Sequence, residues 1–85
     1  MKENILEIPK YGIKVEVWLT DDGEVDGGTI KSILKRGDNS QHDAAMDGVE
    51  TMILNHAVEQ IDITSESYVK GLDTSVEFIK DTYRN

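Results

Sequence analysis

IKVEVWLTDDGEVDGGTI, residues 13–30, decides the fold. Ile13, Val15, Val17 and Leu19 alternate with Lys14, Glu16 and Trp18, the period-two pattern of a strand with one buried face. Asp22-Gly23 interrupts the pattern, and that pair favours a two-residue type I′ hairpin turn with positive φ at both positions. A third strand, from about Glu24 to Lys35, follows. A two-residue turn sets Thr20 opposite Val25, Trp18 opposite Gly27, Glu16 opposite Thr29 and Val15 opposite Ile30.

Toward the N-terminus, NILEI (4–8) is a shorter strand, ended by Pro9, Lys10, Tyr11 and Gly12. A four-residue loop there sets Ile8 opposite Ile13, Glu7 opposite Lys14 and Leu6 opposite Val15. The two turns independently assemble one apolar face: Leu6, Ile8, Ile13, Val15, Val17, Leu19, Ile30 and Leu34. The other face carries Ile5, Glu7, Lys14, Glu16, Trp18, Thr20, Thr29, Lys31, Ile33 and Lys35. Trp18, the only tryptophan, therefore points away from the core. Its indole either shields the backbone at Gly27 or anchors a partner, a role tryptophan often fills in interfaces.

Beyond residue 40 the period changes. Met46, Val49, Ile53, Ala57 and Gln60/Ile61 recur at spacings of three and four, predicting a helix over about 41–60. Ser40 and Asp43 approximate a capping box at its start. Val69, Leu72, Val76, Ile79 and Tyr83 predict a second helix over about 65–83, with Thr64 as its N-cap. Gly48 and Gly71 lie inside these helices and suggest close backbone approach, with Ala44 and Gly48 forming a small-residue face, or a break near Gly71. The predicted fold is α+β, βββαα: a three-stranded antiparallel meander with one face packed on two antiparallel helices, in a single domain of residues 1–85.

An 85-residue chain buries only about 60–65% of its unfolded surface, so a partner or a second copy of itself would add stability. There is no cysteine, and neither a signal-peptide run nor a membrane-spanning segment is apparent. The expected location is the cytoplasm. Net charge is −8, with six Lys/Arg against eight Asp/Glu in residues 1–40 and three against nine in residues 41–85. That balance argues against direct binding to nucleic acid or to an anionic membrane and favours a partner with a basic surface.

Catalytic and metal patterns are weak. Asp22, Glu24, Asp26 and Gly27 match positions 1, 3, 5 and 6 of a calcium loop, but Ile33 stands where the bidentate glutamate belongs. His42 and His56 share one helix, roughly 21 Å apart along it, too far to bridge one ion. His56 is expected to be a packing residue with its ring nitrogen satisfied, and His42 to be exposed. No serine sits in a nucleophile-elbow setting and no glycine run forms a phosphate loop, so no enzymatic activity and no cofactor is expected.

Candidate partner-binding residues are therefore Trp18, the acidic turn Asp21, Asp22, Glu24 and Asp26, and two acidic helical stripes: Asp43, Asp47 and Glu50, then Asp73, Glu77 and Asp81. Carboxylates four apart on a helix advance about 6 Å per charge, against 3.4 Å per phosphate on a DNA strand, so each stripe is a sparse imitation of nucleic acid.

DAAMDGVETMILNHA (43–57) and IDITSESYVKGLDTSVEFI (61–79) resemble a group of small phage and prophage proteins. The shared features are a strand-rich start, an A-x-D-G-x-E helix and a second helix patterned Y-V-x-G-L-x-T-x-V. The resemblance covers about half of the chain and carries over no functional residue. It implies a mobile genetic element, in which small acidic proteins often inhibit host defence, including anti-CRISPR and anti-restriction proteins. The expected function is binding and inhibition of a host nucleic-acid-handling defence complex. The alternative is a small-ligand binding or sequestering protein with its site at a dimer interface.

Overall fold

The computed structural model describes residues 2–37 and 39–84. Three antiparallel strands, β1 (Lys2–Ile8), β2 (Ile13–Leu19) and β3 (Val25–Lys31), pair in the order β1-β2-β3. Helices α1 (Ser40–Val58) and α2 (Glu66–Thr82) follow. The helices run antiparallel, because Asn39 at the start of α1 donates to the Tyr83 carbonyl at the end of α2, while His56 meets Tyr68 at the opposite ends.

The β1–β2 register is the one expected, with Ile8 opposite Ile13 and Leu6 opposite Val15. Pro9–Tyr11 form a single 3₁₀ turn, closed by the Gly12 amide donating to the Pro9 carbonyl at 3.0 Å. Proline presets the first φ of such a turn.

The β2–β3 hairpin corrects the type I′ reading. Gly23 has φ +83° and Asp22 is not in the positive-φ region. The Gly23 amide donates to the Thr20 carbonyl at 2.9 Å, and the Thr20 amide donates to the Glu24 carbonyl at 2.8 Å. The loop is therefore the three residues Asp21, Asp22 and Gly23, with glycine at the left-handed position. Leu19 consequently pairs with Val25, where a two-residue turn would have set Thr20 there. A bulge then inserts one extra residue, and Trp18 returns to face Gly27, Glu16 to Thr29 and Val15 to Ile30. Turn and bulge displace the register by one residue in opposite senses. Val25 and Ile30, five apart, can thereby both pack against the core.

The buried apolar side chains form one cluster that includes Ile8, Ile13, Val15 and Val17 from the sheet, Met46, Ile53 and Ala57 from α1, and Leu72 and Val76 from α2. At Gly28 the first helix comes close enough that an added Cβ would lie 3.2 Å from Leu54 and 2.9 Å from the Glu16 carbonyl oxygen. Two core contributors lie outside the expected face, Tyr11 in the turn and Ile63 between the helices, whereas Leu34 is buried as expected but from beyond the end of β3.

The N-cap of each helix differs from expectation by one residue. Asn39, not Ser40, caps α1 and accepts from the amides of Gln41 and His42. Ser65, not Thr64, caps α2 and accepts from the Tyr68 amide. Thr64 is held instead by the Asp62 carboxylate, through its amide at 2.9 Å and its hydroxyl at 2.6 Å. Neither Gly48 nor Gly71 serves close approach: space is open around both, and α2 continues unbroken through Gly71. No helix among the described residues is long and apolar enough to cross a membrane.

Candidate functional site

The carboxylates proposed as a binding surface divide into two groups, and packing decides which is which. Asp43, Asp47 and Glu50 do not form a free stripe. They fasten the segment that leads from β3 into α1. Glu50, only 7% exposed, accepts from the Ser32 hydroxyl and lies 3.3 Å from Lys35 Nζ. Asp47 takes the same ammonium at 3.0 Å, and Asp43 accepts from the Gly37 amide at 3.1 Å. Successive acids on one helix face thus hold successive points of one connector. This is also why β3 ends at Lys31 and not at Lys35: Ser32 and Lys35 turn to carboxylates on α1. The hydrogen bonds to Asp47 and Glu50 raise the Lys35 pKa, and His42, with its ring 2.9 Å from Asp43, holds that carboxyl below its usual range. His42 is largely covered, its side chain only 13% exposed, contrary to the exposed position expected.

Asp73 on α2 is similarly occupied. It accepts from the Tyr11 hydroxyl and pairs with Lys10 at 2.9 Å, tying the β1–β2 turn to the second helix. The Tyr11 bond, then Lys10, lowers its pKa, while burial and then Asp73 raise that of Tyr11. Asp81 pairs with Arg84 at 2.6 Å on the solvent side of the same helix, and Glu77 is exposed. His56 behaves as expected: Nδ1 lies 2.7 Å from the Tyr68 hydroxyl, with the two rings edge to face.

The second group sits at the β2–β3 tip. Asp21, Asp22, Glu24 and Asp26 are exposed, and the backbone bonds of Thr20, Gly23 and Glu24 fix the loop that carries them. Trp18 lies beside it on the outer face of the sheet, partly exposed, opposite both Gly27 and Glu3. An added Cβ on Gly27 would stand 3.3 Å from the indole, so the ring rests on the glycine backbone as expected. A flat aromatic ring is thus bordered by Glu3 on one side and by the turn acids at its end. Ile5, 48% exposed and opposite Glu16, continues the outer face away from the tip.

Chemically this arrangement can receive cations. Asp22, Glu24 and Asp26 form no metal cage, since no group of three or more metal-binding side chains converges among the described residues. They suit guanidinium and ammonium groups on a macromolecule, with the indole face available for a cation–π or apolar contact. Sequence reasoning missed Tyr11, Ser32, Lys35 and Lys10 as the partners of the helical acids; a large aromatic placed inside a Pro–Gly turn was the one available signal. No protein-family model matches the chain, and no curated protein or solved structure is significantly similar to it.

Proposed function

We propose that the protein is an inhibitor from a mobile genetic element that binds a host nucleic-acid-handling defence complex, in an anti-CRISPR-type role, and performs no chemistry itself. The observation that supports this most is the exposure of Asp22, Glu24 and Asp26 at the tip beside Trp18, apart from Asp43, Asp47, Glu50 and Asp73, which the fold occupies. A net charge of −8 would draw such a protein toward a basic groove before contact. Asp22, Glu24 and Asp26 would then pair with lysines and arginines that otherwise hold phosphates, and Trp18 would supply the desolvated anchor. Nucleic acid and inhibitor would compete for the same cations.

The test is protection of an infecting phage in cells carrying a panel of CRISPR and restriction systems, followed by competition with nucleic acid on the purified target. The reading expects protection against at least one system, a complex that weakens as salt rises, and loss of both with Trp18→Ala or with Asp22→Asn, Glu24→Gln and Asp26→Asn combined. Protection against none of the systems, or full potency in the combined variant, would overturn it.

A further inference from the structure

A cleft of about 430 Å³ opens at the other end of the sheet, where the β1–β2 turn, the β3–α1 connector and the C-terminal half of α2 meet. Its volume falls in the range of small-molecule sites. The composition of its lining runs against that of the whole chain. Among the described residues, three Lys/Arg side chains, Lys10, Arg36 and Lys80, border it together with His42, against a single carboxylate, Glu77. Lys10 is balanced by Asp73 at 2.9 Å, but among the described residues neither Arg36 nor Lys80 has an ion-pair partner. Like charges gathered without partners repel one another, and a bound anion removes that cost.

The walls are preformed. Tyr11 is fixed by its bond to Asp73, and the connector is pinned by the Ile33 amide donating to the Tyr11 carbonyl at 3.1 Å. Asp43 holds both the Gly37 amide and the His42 ring. The first amides of α1 are already capped by Asn39, so the cationic side chains, not the helix end, supply the positive field. Tyr11, Ile33 and Leu34 add an apolar side to the same cleft.

We propose that this cleft binds a small organic phosphate, with the phosphate between Arg36 and Lys80, Lys10 at its edge and the organic portion against Ile33 and Tyr11. Arginine recognises phosphate through two parallel N–H bonds, and lysine adds a mobile point charge. Glu77 suits a hydroxyl or N–H donor on the organic portion. This site is separate from the acidic tip and stands whether or not the tip engages a defence complex.

Adenosine 5′-monophosphate, inorganic phosphate and adenosine, titrated in turn into the whole chain at low salt and followed by amide NMR, provide the test. The two phosphates are expected to shift Ile33, Gly37 and His42 saturably, the nucleotide more tightly, while adenosine at equal concentration leaves them in place. Arg36→Gln with Lys80→Gln is expected to weaken binding about tenfold or more with melting temperature unchanged, since neither side chain supports the fold. Lys31→Gln, on the outer sheet face, should have no effect. Failure of both phosphates to saturate, or equal weakening by Lys31→Gln, would overturn the proposal.

Discussion

Gln60 is the one non-glycine residue with positive φ among the described residues, at 64°. It ends α1 in a Schellman motif: its amide bonds the Ala57 carbonyl and the Ile61 amide bonds that of His56. A side chain in the left-handed region costs about 1 kcal/mol, so Gln60→Gly is expected to stabilise the protein by about that amount in urea unfolding. The same turn separates two isoleucines that look equivalent in sequence. Ile63 is fully buried and Ile61 is 42% exposed. Ile63→Ala should cost about 2–5 kcal/mol and Ile61→Ala less than about 0.5 kcal/mol, measured in the same way. Asp73 carries a pH signature. Its folded pKa lies below the ordinary 3.8, so its contribution is complete above that value and is lost as pH falls through the lowered one. The stability difference between the parent and Asp73→Asn should therefore be largest near neutrality and close in acid.

The bulge in β3 is a property of an element, and it can be tested by changing the length of the strand. With the three-residue loop kept, deleting Asp26 leaves Val25, Gly27, Gly28, Thr29 and Ile30 in strict alternation, with Val25, Gly28 and Ile30 toward the core. That deletion is expected to fold, with NMR changes confined to the tip. Deleting Thr29 instead sends Ile30 to the solvent face, forfeiting about 1.5–3 kcal/mol of side-chain burial, and should unfold or severely destabilise the chain. Unfolding after deletion of Asp26 would mean that the bulge is itself required. The α1 acids likewise depend on a neighbouring segment. A helix face was legible as acidic, but whether its charges face solvent depends on the path of the next segment, and here Ser32, Lys35 and Gly37 run along it.

Across the whole molecule, the charge is unevenly used. The fold consumes the acids near the helix–connector seam and leaves exposed acids at the hairpin tip, while Arg36 and Lys80, without an ion-pair partner among the described residues, border the opposite cleft. The alternation of residues 13–19, the 3–4 spacing of the two helical stripes and the Pro–Gly turn were sufficient to determine three strands, two helices, the β1–β2 register and the burial of one sheet face. These follow from local dihedral preference and from apolar periodicity, both of which are written along the chain. The three-residue hairpin loop with its compensating bulge, the burial of Tyr11 and Ile63, and the division of the carboxylates between the helix–connector seam and the exposed tip were decided only by tertiary structure. Each depends on which distant groups arrive at the same place: a carboxylate is committed when a hydroxyl or ammonium packs beside it, and an isoleucine when a helix covers it. Periodicity orders residues along one element, whereas charge pairing and site formation require the separation between elements, a quantity that closes only when the core does.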